Sequence, residues 1–302
     1  MPAADDPCAV FVRHHASRPF DMLESTNAET VGHARDWTVG AICHVRRYRK
    51  MLFSTPGLAQ YISGVIVYDE TLRSSCEDGV PLVRRLQEQG IMVGIKVDRG
   101  LAVIPGTEGE TSTQGLDGLG DRCAEYYKMG ARFAKWRAIY KISATTPSER
   151  AVQENSWALA RYGAICQENG LVPIIEPEVL MDGNHDIEKA AQVTEHVQAT
   201  VYKAMHEQGL LLEGTLLKPN MVSGGSENMT KLTEMDIAAY TIRTLQRTVP
   251  VAVSSSRVSR LTSRVSRFAS RVSRLVSRVS RLTSHVSQLS AIPLPLLSCF
   301  RA

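Results

Sequence analysis

The sequence predicts an α/β protein, an incomplete TIM (β/α)8-type barrel, and three observations carry that expectation. Short apolar runs alternate with longer amphipathic stretches across residues 64–245. Run after run carries charge inside or just past its carboxyl end. No G-x-G-x-x-G follows a run, and "GLDGLGD" (residues 115–121) has the wrong spacing and reads as turns before a helix. A doubly wound sheet would gather its ligand groups near one switch point, whereas a barrel collects single residues from many strand ends on one face.

The elements follow in order. "GVIVY" (64–68) reads as a buried strand, with a helical stretch after it at 81–89. "IMVGIKV" (91–97) brings Lys96, with Asp98 just beyond, and a helix over 121–129 separates it from "RFAKW" (132–136). That run carries Lys135 and is followed by Arg137. A helix over 148–169 opens at a Thr-Pro start signal with Glu149 in its first turn. "VPIIE" (172–176) ends in Glu176, and Glu178 lies two residues on, on the same side of an extended segment. Over 186–207, Ile187, Ala190, Ala191, Val193, Val197, Val201 and Ala204 fall at helical spacing. "LLLEGTLLK" (210–218) ends in Lys218, and Pro219 cannot donate to a sheet ladder, so the strand stops there. A helix over 232–245 comes last. Strands separated by helices make βαβ units and a parallel sheet.

The 302 residues are 43% hydrophobic, ordinary for a globular chain. No run approaches the roughly 18 apolar residues of a membrane span. The six cysteines, Cys8, Cys43, Cys76, Cys123, Cys166 and Cys299, form no C-x-x-C pair, which argues against a zinc site or disulfide framework and fits a reducing compartment. "MPAADDPCAV" has early acids and no apolar core of signal-peptide length, so the chain is expected not to be secreted.

The net charge of +4 conceals a split: residues 251–302 hold nine arginines and no Asp, Glu, Lys or Gly, leaving 26 basic and 31 acidic residues in 1–250. Two regions follow, a barrel domain over 1–250 and a basic low-complexity tail over 251–302. The tail runs through a seven-residue repeat, "SRVSRLT" to "SHVSQLS" (256–290). Its Val and Leu positions form a coiled-coil seam in spacing, but serine fills two places in seven and no acids offer interhelical pairs. Near-identity between units reads as translation of a short tandem nucleotide repeat; a basic amphipathic helix on anionic lipid or nucleic acid is the other reading.

A lone lysine at a strand end is ordinarily a snorkelling side chain. Four strands in succession presenting charge at one mouth are harder to treat that way. Lys135 near Lys218 would penalise a second ammonium and favour a neutral, nucleophilic amine at Lys218. That amine could attack a ketone, giving an iminium that accepts electrons from a breaking carbon–carbon bond. A carboxyl group such as Glu176 would shuttle the protons.

The motifs "GIKVDRG", "GETSTQGLDGLGDRC", "ARFAKWR", "ARYGAICQENGLVPIIEPE" and "LEGTLLKPNMV" together closely resemble class I fructose-bisphosphate aldolase. The likeness runs almost continuously over residues 52–250. It implies a TIM-barrel lyase, usually a homotetramer, that splits fructose 1,6-bisphosphate into dihydroxyacetone phosphate and glyceraldehyde 3-phosphate without metal or other cofactor. By motif, Lys218 resembles the Schiff-base lysine, Glu176 the principal acid/base, and Glu178 its neighbour. Lys135 and Arg137 resemble residues that hold substrate near its phosphate and tune the amine, and Lys96 a further active-site lysine.

Cytoplasm or plastid is the implied compartment; membrane and nucleic acid are not expected partners. The sequence departs from the family at two places. In "FDMLESTNAETVG" (20–32), Leu23 stands where the family has an active-site aspartate, with Asp21 two residues away. After Pro250 the seventh and eighth strands, with their phosphate-cradling glycines, are not recognisable. The alternative function is an impaired relative that only binds partners.

Overall fold

The computed structural model describes residues 22–24, 48–76 and 79–253, with 22–24 as backbone only. The heptad repeat, Asp21 and the amino-terminal address lie outside the described residues.

The chain runs β1 (Met22–Glu24), a helical stretch at 48–53, β2 (Gly64–Val67), α1 (Asp69–Leu72), α2 (Leu82–Glu88) and β3 (Met92–Lys96). A hairpin of β4 (Leu101–Val103) and β5 (Thr111–Thr113) follows, then α3 (Leu119–Lys128), β6 (Ala131–Tyr140) and α4 (Glu149–Glu168). The remainder is β7 (Val172–Val179), α5 (Ile187–Glu207), β8 (Leu216–Leu217) and α6 (Glu234–Thr248).

One six-stranded sheet has the order β1-β2-β3-β6-β7-β8, every pairing parallel. Each strand is laid beside its predecessor, so the order never reverses and no switch point arises. Right-handed crossovers then keep the helices on one face. This is the strand order of a (β/α) barrel and not of a doubly wound sheet. Among the described residues β1 and β8 do not pair, and the barrel is not closed.

The period-2 alternation of a strand divides the core in two. One face of the sheet gives Val65, Val67, Val93, Ile95, Ala134, Trp136 and Ile175 to the large core shared with α2, α3, α4 and α5. The opposite face gives Ile66, Phe133, Val172, Ile174 and Leu216 to a small separate cluster. Gly94 sits in register with Phe133 on this inner face, and a Cβ on Gly94 would fall 2.1 Å from the Phe133 ring. The ring occupies the volume that the missing side chain leaves.

The strands differ from the sequence expectation in extent. The segment 210–218 was expected as one strand, but only Leu216–Leu217 is β; residues 212–214 form a 3-10 turn. The reason is a side chain of α4. Gln167 of α4 donates to Leu211 O at 2.8 Å and accepts from Leu211 N at 3.0 Å, satisfying the groups a ladder would have used. β6 and β7 run on past the expected ends at residues 136 and 176 to Tyr140 and Val179, because Lys135, Arg137 and Glu176 face inward while Trp136, Ala138 and Tyr140 stay buried on the helix side.

Three helices start at side-chain caps. Ser148 caps α4 by accepting from Ala151 N, and Asp186 caps α5 by accepting from Lys189 N. Thr233 and Asp236 form a reciprocal capping box at α6. Among the described residues no helix is long and apolar enough to cross a membrane.

Candidate active site

The inner face that begins as an apolar floor ends in charge, because the same alternation continues along each strand. Lys96, Lys135, Ile174 and Leu216 share one rung of the sheet, and Arg137 and Glu176 share the next. Lys218 lies one residue past β8, yet its backbone N still bonds Ile175 O at 2.9 Å, which carries the ladder far enough to set Lys218 beside Glu176.

Three of the six residues singled out from sequence form one bonded cluster. Lys218 Nζ donates to Glu176 Oε1 at 2.5 Å. The other carboxylate oxygen, Oε2, meets Lys135 Nζ at 3.1 Å as an ion pair, not as an aligned hydrogen bond. The Glu176 and Lys135 side chains are each 3% exposed, whereas Lys218 is 44% exposed. A buried carboxylate loses several kcal/mol of hydration, and here two cations offset that loss. The sequence expectation set one ammonium against another; the structure places a carboxylate between them. Lys218 is thus the member of the cluster open to an entering ligand, with a proton acceptor already in contact.

The other three residues are near but separately paired. Arg137 Nε donates to Glu178 Oε2 one rung nearer the mouth, both side chains about half-buried. Lys96 Nζ contacts Asp98 Oδ1 at 2.5 Å and lies 5.5 Å from the Tyr68 ring centroid, a cation–π distance. Lys96 is a register neighbour of Lys135 with no direct contact to Glu176 among those seen.

Sequence reasoning passed over Asp98 as a partner and missed the β4–β5 hairpin altogether. Thr113 of that hairpin donates its hydroxyl to Arg137 O at 2.7 Å. Asn155 of α4, fully buried, donates to Thr111 O at 2.8 Å and accepts from Thr113 N at 3.3 Å, tying hairpin, helix and β6 together. The Pro105-Gly106 pair between Val103 and Thr111 was the available signal for the turn. Among the described residues no group of three His, Cys, Asp or Glu side chains is placed to hold a metal ion.

The register of β1 bears on Leu23. Glu24, not Leu23, is in line with the inward Ile66, and Leu23 is in line with Val65 of the outer core.

Comparison with known proteins gives a consistent result. The family model described as fructose-bisphosphate aldolase class-I matches residues 42–262. Among curated proteins, fructose-bisphosphate aldolase 6, cytosolic, of Arabidopsis thaliana is 58% identical over 208 residues, 69% of this chain and 58% of the relative. The cytoplasmic isozyme of Spinacia oleracea has the same identity and coverage, and the Dictyostelium discoideum fructose-bisphosphate aldolase is 56% identical over 212 residues, 69% of this chain and 59% of the relative. The chain therefore spans somewhat under two thirds of the length of these relatives. A solved structure of fructose-bisphosphate aldolase from Plasmodium falciparum, in complex with TRAP and a small-molecule inhibitor, superposes with a TM-score of 0.77. It is 44% identical and covers 84% of this chain and 75% of that one.

Proposed function

The chain belongs to the class-I fructose-bisphosphate aldolase family, and from that premise we propose that it cleaves fructose 1,6-bisphosphate reversibly to dihydroxyacetone phosphate and glyceraldehyde 3-phosphate through a Schiff base on Lys218. The contact of Lys218 Nζ with Glu176, at 2.5 Å, is the observation that carries the reading. A nucleophile in hydrogen-bond reach of its base is the arrangement covalent catalysis requires.

In this reading Glu176 takes a proton from Lys218, and the freed amine attacks the substrate's ketone carbon. Glu176 returns the proton to the carbinolamine oxygen, water leaves, and an iminium remains. Glu176, a carboxylate again, takes the proton of the hydroxyl on the β carbon, and the electrons of the bond between the α and β carbons flow into that iminium as the aldehyde departs. The resulting enamine takes up a proton, and water hydrolyses the second product from Lys218. Lys135, buried against the far oxygen of Glu176, holds the carboxylate in place and keeps positive charge beside the reacting nitrogen. Arg137 and Lys96, cations near the mouth, are assigned to the substrate's phosphate, with Glu178 holding the guanidinium by its Nε.

A cytosolic location, matching the names of the curated relatives, and a homotetramer, which the family resemblance implies, complete the proposal. The test is borohydride trapping. Dihydroxyacetone phosphate with borohydride should attach covalently to Lys218, located by peptide mass mapping. Labelling undiminished in Lys218→Ala would overturn the assignment.

A further inference from the structure

Cys123 on α3 and Cys166 on α4 take no part in the proposed reaction. Neither is in a disulfide, both are fully buried, and their sulfur atoms lie 3.9 Å apart although 43 residues separate them in the chain. The third described cysteine, Cys76, is half-buried. Hydrogen bonding to Cys166 holds the Cys123 thiol below its ordinary range against the opposing effect of burial, and the neighbouring Arg122 cation adds to the lowering. The thiolate is the reactive form of cysteine.

The pair sits behind the strand ends that carry the site. Tyr162, one helical turn before Cys166, stacks on Trp136 with ring centroids 5.4 Å apart, and Trp136 lies between Lys135 and Arg137. Arg122, next to Cys123, donates to Val97 O at 2.9 Å, between Lys96 and Asp98.

We propose that Cys123 and Cys166 are a modification site, a dithiol that hydrogen peroxide converts to a disulfide joining α3 to α4. The Cys123 thiolate attacks one peroxide oxygen and the O–O bond breaks; the sulfur is oxidised to a sulfenic acid, and the departing hydroxide takes up the thiol proton to leave as water. Cys166 sulfur then displaces the sulfenic hydroxyl, which leaves with the Cys166 proton as a second water. Two thiols and one peroxide give one disulfide and two waters. The sulfurs close from 3.9 Å to about 2.05 Å, drawing the two helices together behind Trp136. Because both sulfurs are buried, the peroxide reaches them through local opening of the helix pair.

The full chain is treated with hydrogen peroxide under native conditions, its remaining thiols are alkylated, and its peptides are mapped by mass spectrometry. A linked Cys123–Cys166 peptide pair is expected, reversed by dithiothreitol, retained in Cys76→Ser and absent from Cys123→Ser and Cys166→Ser. The mapping of the unaltered chain decides the matter even where a variant fails to fold. Two unlinked sulfurs at a peroxide concentration that oxidises Cys76, or a bridge that forms only after denaturant is added, would overturn the proposal.

Discussion

Glu176 answers to two lysines at once, so its loss should be felt in two measurements. Glu176→Gln keeps the shape but removes the proton acceptor, and turnover should fall by about 10²- to 10⁴-fold in steady-state cleavage. The same change strips Lys135 of a buried counter-charge, at a cost of up to about 3–5 kcal/mol in denaturant unfolding. Adding Lys135→Met should recover stability without recovering turnover, because the buried charge goes while the catalytic carboxylate stays absent. Equal recovery of both would mean that Glu176 matters only to the fold. His185 gives a pH-dependent case. Burial holds its imidazole below the ordinary histidine range, against the pull of Asp186. A depressed folded value means the unfolded chain binds the proton more readily. The contribution is therefore complete above the unfolded value of about 6.5 and is lost as pH falls through the folded one. The thermal midpoint of the unaltered chain should drop more steeply from about pH 7 to about pH 5 than that of His185→Gln. Parallel curves would remove His185 from the account.

At the scale of elements, the inner floor depends on one missing side chain. Gly94→Ala sets a methyl 2.1 Å from the Phe133 ring, a clash with neither atom at a flexible tip, and overpacking of that kind typically costs about 1–3 kcal/mol. Phe133→Leu in the same chain should return part of the loss, measured as a coupling in a double-mutant cycle. Strict additivity would show that the two do not meet. The strands carrying the site were readable because an inward charge stands out inside an apolar run, as Lys135 does in "RFAKW" and Glu176 does in "VPIIE". Their ends were not, since Arg137 and Glu178 read as exits while the sheet pairing continues beneath them. The hairpin escaped because its strands are three residues each, and β4 is exposed throughout. Asn155 escaped for a different reason: an asparagine in a helix declares no partner until the hairpin is folded against it. The 3-10 turn before β8 depends likewise on Gln167, 44 residues away.

For the whole molecule, the sequential order of six parallel strands leaves β1 and β8 as the outer members of the described sheet. Barrel closure pairs every strand, and phosphate in such barrels is commonly held by loops after the seventh and eighth strands. Replacing residues 251–302 with the corresponding end of the spinach relative should therefore raise both the thermal midpoint and the rate of fructose 1,6-bisphosphate cleavage. Leu23→Asp alone should raise neither, because Leu23 shares its register with Val65 of the outer core. Unchanged cleavage in the graft would show that the carboxyl-terminal part of this chain already supplies what the relative's would. The six candidate residues were legible from sequence as a set of strand-end charges. How they divide into one bonded cluster of three, one flanking pair and a lysine paired with Asp98 was not, because strand register fixes it.

The alternation of β6 also separates two kinds of inheritance. Ala134, Trp136, Ala138 and Tyr140 face the helices and can drift only in company with α3 and α4, against which β6 packs. Lys135 and Arg137 face the mouth and answer to whatever enters it. A descendant recruited to a new substrate would therefore keep Ala134, Trp136, Ala138 and Tyr140 and rewrite Lys135 and Arg137, so that parity along this part of one strand distinguishes ancestry of shape from ancestry of chemistry.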